Sequence, residues 1–299
     1  MKELLAIGYG DIATRLFERL SQQPAASSWR LRGLCRQPQQ KRPINGVELV
    51  AADASEQEQL GQYMSSATHS IVVTLTPREY SAAGYRQGYV VPCQAIQAAV
   101  AKYAPQARVL YISSTGVYGQ SDDQWVDEQS PAQPDDANAQ QLRQAEQLIE
   151  RLPQHTLLRC AGIYGRERAR LLDNISAATP AQPQHAPAGF SNRIHIEDLI
   201  SALTHVLTLS QPANCYNVCD NEPSRHHQVY AWLAKQLGVD EAAIVYDQQP
   251  PKRGSKRCRN QRLRDSGWQP HYPSFREGYS ALLNDDSKRR QLATIVSSA

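Results

Sequence analysis

The feature that most constrains the fold is an alternation of short apolar runs with amphipathic helical stretches, which starts at the first residues. ELLAIG predicts a strand, and DIATRLFERLSQQ places Ile12, Leu16 and Leu20 on one face of a helix. The later strand-like runs are LRGLCR, VELVAAD, SIVVTLT, RVLYISS, HTLLRCAGIYG and NCYNVCD. This alternation is typical of a doubly wound parallel sheet with helices on both faces, so we expect an α/β, Rossmann-type fold.

The regular pattern ends near Tyr164. ATPAQPQHAPAG has the composition of a loop, and SRHHQVYAWLAKQLGV predicts a helix that ends at Gly238. We therefore expect a Rossmann domain over residues 1–165, completed by the strand near 214–220. Residues 166–299 are expected to form mainly a small C-terminal substrate lobe, with a ligand cleft at the carboxyl ends of the strands.

Composition narrows the class of protein further. The 299 residues carry 32 basic and 29 acidic side chains, a net charge of +3 that gives no general attraction to nucleic acid or membrane. The N-terminal apolar run is too short for a signal peptide, and no stretch has the length of a membrane span. The six cysteines form no CxxC pair, which favours reduced, packed thiols in a cytoplasmic protein without a metal site.

The segment Gly8-Tyr9-Gly10-Asp11-Ile12-Ala13 is a GxGxxA signature between the first strand and the first helix. Its first glycine permits a tight turn, and its second lets a pyrophosphate approach the backbone. The alanine keeps helix and sheet close, and the first helical residues offer N–H groups to phosphate. Because the signature lies at the start of a β–α series, it predicts a dinucleotide site.

The ends of the next strands indicate which dinucleotide. The second strand ends with Arg36, where enzymes that prefer NAD usually carry an acidic residue. Arginine suits a 2′-phosphate, so we expect NADP(H) rather than NAD(H), with Arg32 and Lys41 as helpers. A solvated strand-end charge is the alternative for Arg36. Asp53 is expected near the adenine, and the fourth-strand end, Thr74, Leu75 and Thr76, near the nicotinamide.

The segment YISSTGVYG at 111–119 resembles the extended short-chain dehydrogenase/reductases, the superfamily of epimerases and dehydratases that act on nucleotide sugars. LRCAGIYGRER, NRIHIEDLISAL, YNVCDNEPSR and RLRDSGWQPHYPSFREGY continue the resemblance in the same order over nearly the whole chain. The short GxGxxA turn is most similar to an atypical bacterial subgroup, the YeeZ-like proteins. In this superfamily, relatives often form dimers through the helices after the fourth and fifth strands. Ala95, Ala98 and Ala99 would permit such a homodimer here.

The resemblance implies that Ser114, at the end of the fifth strand, hydrogen-bonds the substrate oxygen. Relatives transfer the proton through a tyrosine whose pKa a lysine four residues later lowers. Here Asn138 and Leu142 occupy those two positions. The usual mechanism cannot operate as written, because its acid/base pair is missing.

We therefore expect Ser114 and Tyr118 to be the catalytic residues, with Tyr118 or an ordered water moving the proton. Tyr164 is a second candidate. For either tyrosine the alternative is a core ring whose hydroxyl is satisfied. Ser113, beside Ser114, is assigned to the cofactor site.

Residues 252–264, KRGSKRCRNQRLR, hold seven basic side chains. The segment is interpreted either as a solvated loop leading into a short helix capped by Asn260, or as an anion site. The resemblance supports the second interpretation, since relatives often contact a substrate diphosphate from this region. Nucleic-acid binding is not expected, because no aromatic residues are interleaved in the segment.

These observations predict an NADP-dependent oxidoreductase or epimerase with a non-standard active site. Its substrate would be a small hydroxylated or carbonyl compound, either phosphorylated or nucleotide-linked. The alternative is a protein that senses NADP(H) without turnover and relays its redox state to a partner.

Overall fold

The computed structural model describes residues 2–22, 29–77, 79–250 and 254–285. Its strands are β1 (Lys2–Ile7), β2 (Trp29–Cys35), β3 (Val47–Ala51), β4 (Thr68–Val73), β5 (Arg108–Ser114), β6 (Asp122–Val126), β7 (His155–Cys160), β8 (Gly162–Tyr164), β9 (Gln184–Ala186), β10 (Phe190–Ser191), β11 (Arg193–His195), β12 (Cys215–Val218), β13 (Ser224–Arg225), β14 (Ile244–Tyr246) and β15 (Ser255–Cys258). Its α-helices are α1 (Asp11–Ser21), α2 (Gln57–Gly61), α3 (Ala82–Tyr85), α4 (Val91–Tyr103), α5 (Ala137–Ile149), α6 (Arg170–Ser176), α7 (Ile196–Thr208), α8 (His226–Leu237), α9 (Gln261–Asp265) and α10 (Phe275–Asn284).

The central sheet has seven strands in the order β12-β7-β5-β4-β1-β2-β3. The pairs β1–β2, β2–β3, β1–β4 and β4–β5 are parallel. The chain leaves β1 toward β2 and β3 on one side and continues with β4 on the other. The strand order therefore reverses beside β1, where open α/β sheets bind their ligands. The predicted Rossmann-type α/β fold is confirmed, and each of its seven strands arises from an apolar run seen in the sequence.

The chain divides into two compact units. The first unit contains residues 1–117, 132–159 and 200–216, and the second contains 118–131, 160–199 and 217–299. The predicted domain boundary near residue 165 stays a prediction.

The core of the first unit lies between the sheet and the helices packed on it. Strand residues such as Ile7 and Val109 pack with Ile96 of α4 and Ile149 of α5. Ala99 belongs to the same core and is completely buried. Its methyl group packs inside the unit, and the expected homodimer stays a prediction.

The second unit has a separate core made by helices α6, α8 and α10 around short strands. Helix α8 ends as predicted at Gly238, whose φ of +67° is the left-handed conformation that glycine adopts most easily. The segment expected to be a loop contains β9, which pairs in parallel with β14. This short strand forms because it pairs with a strand 60 residues away, so its local composition could not predict it.

The structure differs from two further expectations, which concern the basic segment and Asn260. The basic segment forms β15, paired in parallel with β6, before α9 begins. Asn260 precedes α9 as expected, but its amide donates to the Cys219 carbonyl and to Asn221 Oδ1, each at 2.8 Å. Its side chain does not cap the helix. Lys252 and Arg253 lie outside the described residues.

Candidate functional site

The turn between β1 and α1 has the geometry that its glycines predicted. Gly8 has a φ of +84°, and a Cβ atom there would lie 2.5 Å from the Thr74 carbonyl oxygen. The backbone N–H groups of Gly8 and Tyr9 both donate to the Leu34 carbonyl at 3.1 Å, which ties the turn to β2. A Cβ atom on Gly10 would meet only the Gly8 carbonyl, at 3.8 Å. The space in front of Gly10 is therefore open for a ligand.

Gly10 is also the N-cap residue of α1, and no side chain of the described residues caps that end of the helix. The first N–H groups of a helix carry the positive end of its dipole and bind anions. The open space at Gly10 and the uncapped helix end together have the geometry that phosphate groups bind in other proteins.

A cavity of about 280 Å³ lies at this turn, at the carboxyl ends of β1 to β4. Six of the predicted cofactor residues line it: Gly8, Gly10, Arg36, Asp53, Thr74 and Leu75. Lys41 and Thr76 line it as well. The structure thus brings together residues that are up to 68 positions apart in the chain.

Two cations on one side of the cavity are available to a ligand. Arg36 is exposed, Lys41 is half-buried, and neither forms an ion pair within the described part of the chain. Asp53, on the same side, accepts a hydrogen bond from the Ser55 N–H at 2.9 Å. Among the described residues, no carboxylate forms an ion pair with Arg36 or Lys41 on this side of the cavity.

Arg32 does not help at this cavity, contrary to expectation. Its guanidinium is almost fully buried and pairs with Glu3 at 3.0 Å and with Glu48 at 2.9 Å. The hydrogen bonds from Arg32 hold the pKa of Glu48 below its usual range. Arg32 is a structural residue that links β1, β2 and β3.

Three other predicted cofactor residues do not line the cavity. Asp11 forms an ion pair with Arg15 one turn later, at 2.7 Å, and Ile12 is half-buried in the first turn of α1. Ser113 is buried and donates to Glu146 Oε1 at 2.6 Å. Their assignment to the cofactor stays a prediction, which for Asp11 and Ile12 depends on their place at the uncapped N-terminal end of α1.

Glu146 is the centre of a buried polar network in the first unit. It is completely buried and accepts hydrogen bonds from Ser113, from Arg159 Nε at 3.0 Å and from Arg143 at 3.1 Å. Arg143 also pairs with Glu150 at 2.8 Å. The network joins α5 to the ends of β5 and β7, and so fixes the backbone immediately before Ser114.

The predicted catalytic residues have different surroundings. Ser114 is half-buried, and its Oγ accepts the Gly116 N–H at 3.1 Å, which leaves the hydroxyl proton for another acceptor. Tyr118, in the second unit, is 1% exposed, and its hydroxyl donates to Asn217 Oδ1 at 2.8 Å. The geometry of Tyr118 supports the alternative interpretation, a core ring with a satisfied hydroxyl.

Tyr164 also lies in a core. Its ring stacks on Tyr279 at 4.6 Å, and a Cβ atom on Gly278 would be 1.8 Å from its hydroxyl oxygen. Burial raises the pKa of Tyr164 far above the usual phenol range. A phenol in this position is a poor base, so the structure gives no support to Tyr164 as the proton carrier.

Leu142 occupies the position where relatives carry lysine. It is buried against Tyr85 and Val117, in a small apolar cluster of the first unit. Asn138, at the tyrosine position, is half-buried on the first turn of α5. In this chain, the position on α5 that corresponds to the lysine of relatives is therefore filled by an apolar side chain packed in a core.

The basic segment contributes to a stack of arginines and aromatic rings in the second unit. Arg225 lies 4.5 Å and Arg257 5.2 Å from the centre of the Phe190 ring. Arg257 and Arg259 each lie 4.8 Å from the Trp125 ring. The basic segment itself contains no aromatic residue, and the rings come from β6 and β10, which are distant from it in the sequence. The expectation that the protein does not bind nucleic acid stays a prediction.

Asp123 holds part of this stack in place. Its carboxylate pairs with Arg225 at 3.0 Å and accepts the Ser255 hydroxyl, and its carbonyl accepts Arg257 Nε at 2.7 Å. Within the described residues Arg257 and Arg259 have no carboxylate partner. A guanidinium group that stacks on a ring can still use its remaining N–H groups to bind phosphate or carboxylate.

Several residues of the cavity were not predicted. Gln37 and Gln40 line it beside Arg36, and Gln87, Gly88 and Pro92 line it beside Thr76. Glutamine at a strand end carries no specific sequence signal. Gly88 could have been found, because a glycine in an otherwise helical stretch often marks a close contact.

Comparisons with known proteins agree with this geometry. Residues 8–219 match the NAD dependent epimerase/dehydratase family. The Escherichia coli K12 protein YeeZ is 27% identical over 175 residues, which are 57% of this chain and 60% of YeeZ. The alignment thus covers less than two thirds of that relative.

Solved structures extend the likeness to nearly the whole chain. A Methylobacillus flagellatus protein classed with the NAD-dependent epimerase/dehydratases is 32% identical, with a TM-score of 0.75 over 94% of this chain and 97% of that one. dTDP-glucose 4,6-dehydratase from Bacillus anthracis, solved with NAD, is 17% identical, with a TM-score of 0.78 over 97% and 98% of the two chains. The chain therefore belongs to the NAD dependent epimerase/dehydratase family, and it is similar to YeeZ within it. No helix among the described residues has the length and apolar character needed to cross a membrane.

Proposed function

We propose that this protein binds NADP(H) at the cavity beside β1 and acts as an oxidoreductase or epimerase with a non-standard active site. The observation that carries the preference for NADP(H) is the pair Arg36 and Lys41, two cations on the cavity wall without a carboxylate partner in the described residues. A 2′-phosphate would neutralise their positive charge, whereas a ribose hydroxyl would not.

The residues of the cavity fit a dinucleotide. Gly8 brings the turn against Thr74, and the open space at Gly10 faces the uncapped end of α1, where a pyrophosphate would bind. Arg36, Lys41 and Asp53 would hold the adenosine half. Thr74 and Leu75 would border the nicotinamide half, with Asp11 and Ile12 contributing backbone N–H groups.

When bound, the nicotinamide supplies hydride transfer to or from a substrate carbon. Ser114 would orient the substrate oxygen with its hydroxyl, since its Oγ accepts only the Gly116 N–H among the described contacts. The Glu146 network would hold Ser113 and thereby the strand end that carries Ser114. The Tyr118 hydroxyl already donates to Asn217, so we assign the proton transfer to a solvent water in preference to this tyrosine.

The substrate is proposed to be a small hydroxylated or carbonyl compound with a phosphate or a nucleotide attached. Arg257 and Arg259 support this part of the proposal, because both stack on the Trp125 ring and neither has a carboxylate partner among the described residues of the second unit. Residues 166–299 would thus supply most of the substrate contacts. A cytoplasmic location and a homodimer remain part of the same proposal.

Titration of the purified protein with NADPH and NADH, followed by nicotinamide fluorescence, tests the cofactor. We expect NADPH to bind at least about tenfold more tightly than NADH, and Arg36→Ala to remove most of that difference. Arg42→Ala is the matched control, since Arg42 is exposed, pairs with Glu18 and does not line the cavity. Equal binding of both cofactors would contradict the NADP preference, and binding of neither would overturn the proposed function.

A second candidate is a sensor that binds NADP(H) without turnover. The burial of Leu142 among Tyr85 and Val117 favours it, because no cation can occupy that position to activate a base. An enzyme should oxidise NADPH slowly with one member of a carbonyl panel and lose that activity in Ser114→Ala. A sensor should show no oxidation but change its oligomeric state or partner affinity between NADPH and NADP⁺.

A further inference from the structure

The chain after β4 forms a helix with a local irregularity. Helix α3, a π-helical turn at Arg86–Val90 and helix α4 follow one another without a break. The Ser81 hydroxyl caps the start of this helical stretch by accepting the Gly84 N–H at 3.0 Å. A π-helical turn holds more residues per turn than an α-helix and occurs frequently at functional sites, so its position next to the cavity is informative.

Gly88 presses the π-turn against the segment that follows β4. A Cβ atom on Gly88 would lie 2.6 Å from Pro77 Cα and 2.7 Å from the Thr76 carbonyl oxygen. Both neighbours are backbone atoms that cannot rotate away, so only glycine permits this contact. The π-turn is therefore held at a fixed place relative to Thr74, Leu75 and Thr76.

The neighbouring residue, Gln87, has its side chain exposed on the cavity wall. Within the described part of the chain its carboxamide makes no hydrogen bond. It lies on the β4 side of the cavity with Thr76, while Arg36 and Lys41 lie on the β2 side. A dinucleotide bound across the switch point of such a sheet places its two halves on these two sides.

We propose that Gln87 binds the nicotinamide half of the cofactor and that the π-turn with Gly88 positions it there. The inference rests on the proposed function. A carboxamide can donate and accept at once, which matches ribose hydroxyls and the nicotinamide amide, and it adds no charge beside the reacting ring. Gln87 thereby complements Arg36 and Lys41, which contact only the adenosine half.

The test compares the whole cofactor with its adenosine half. Gln87→Ala is titrated with NADPH and, separately, with 2′,5′-ADP, which lacks the nicotinamide half. We expect the affinity for NADPH to fall about tenfold and that for 2′,5′-ADP to change less than about twofold. Gln94→Ala is the matched control, because Gln94 is exposed on α4 but does not line the cavity.

Gly88→Ala provides a second, independent variant. It should reproduce the selective loss of NADPH affinity while Gln87 is still present, because the added methyl group pushes the π-turn away from Pro77. If Gly88→Ala does not fold by circular dichroism, Gln87→Ala alone decides the question. An equal loss for both ligands, or no loss for NADPH, overturns the role of Gln87. If the wild-type protein binds neither ligand, the proposed function itself has failed.

Discussion

Arg32 lies in the middle of β2 and Arg36 directly follows the strand, yet the two arginines have opposite surroundings. Arg32 is buried and its guanidinium pairs with Glu3 and Glu48. Arg36 is exposed on the wall of the cavity and has no ion-pair partner within the described ranges. Both have the same charge and the same side-chain chemistry, so the difference comes entirely from their surroundings.

The comparison shows how burial separates charges that are paired within the fold from charges that remain available to a ligand. A buried ion must be paired, because removing it from water costs several kcal/mol. An exposed ion at a cavity keeps its hydration and can exchange it for a ligand phosphate. Glu146 belongs with Arg32 in this respect, while Arg257 and Arg259 resemble Arg36 in having no carboxylate partner among the described residues. The four predictions that follow test this division.

The largest expected effect concerns Asp220, a buried carboxyl whose desolvation is only partly offset by the nearby positive charge of Arg193. Burial raises the pKa of Asp220 from its ordinary 3.8 to about 8, against the attraction of Arg193. Between these pH values the folded protein keeps a proton that the unfolded chain releases. Stability therefore falls as the pH rises from about 4 to 8, by up to about 1.4 kcal/mol per pH unit.

Asp220→Asn removes this titration and keeps an acceptor for the Glu222 N–H, which now donates to Asp220 at 3.2 Å. The variant should gain melting temperature relative to the wild-type protein as the pH rises from 5 to 8. Thermal melts at four pH values measure the difference. A difference that does not change with pH would show that Asp220 is ionised in the folded protein.

Glu146→Ala should destabilise the protein by about 3–5 kcal/mol, because it leaves the buried Arg159 without its carboxylate. Urea unfolding measures the loss. Glu150→Ala is the control: Glu150 is one third exposed and pairs with Arg143, so its loss should cost less than about 1 kcal/mol. Similar losses in the two variants would contradict the structural role of the buried network.

Arg32→Ala should cost about 3 kcal/mol, since Glu3 would stay buried without its cation. The double variant Arg32→Met with Glu3→Gln should recover part of this loss, because it removes both charges. Urea unfolding of the two variants measures each change. A single variant as stable as the wild-type protein would place Arg32 with the functional arginines instead.

Arg36→Ala should change the free energy of unfolding by less than about 0.5 kcal/mol, because the side chain is exposed and makes no ion pair in the described structure. The same variant should lose NADPH affinity, as set out above. Each variant is measured for unfolding and for cofactor binding on the same preparation. Arg32→Ala should lose stability, whereas Arg36→Ala should lose NADPH affinity and keep its stability. A clear loss of stability in Arg36→Ala would show that Arg36, like Arg32, contributes to the fold.

Much of the fold was predictable because its signals are local. Apolar runs, helical periodicity and the glycines of GxGxxA each act within a few residues, and they correctly placed the seven sheet strands and the tight glycine turn between β1 and α1. The cavity residues Arg36, Asp53, Thr74 and Leu75 followed from a general rule, that ligands bind at the carboxyl ends of parallel strands. Short elements such as β9 and β15 were missed, because their partner strands are distant in sequence.

For the candidate site, the sequence could predict only the features that follow from local backbone geometry. The alternation pattern and the glycine turn determine a Rossmann-type sheet and the place of the cavity at its switch point, since both arise from local backbone preferences. Only the tertiary structure decides which charges remain available. It pairs Arg32 and leaves Arg36 exposed, places Ser113 against Glu146, and brings Trp125 and Phe190 between the arginines of a segment that contains no aromatic residue. The physical reason is that desolvation and partner distance depend on the whole fold, whereas strand and turn formation depend on the nearest residues.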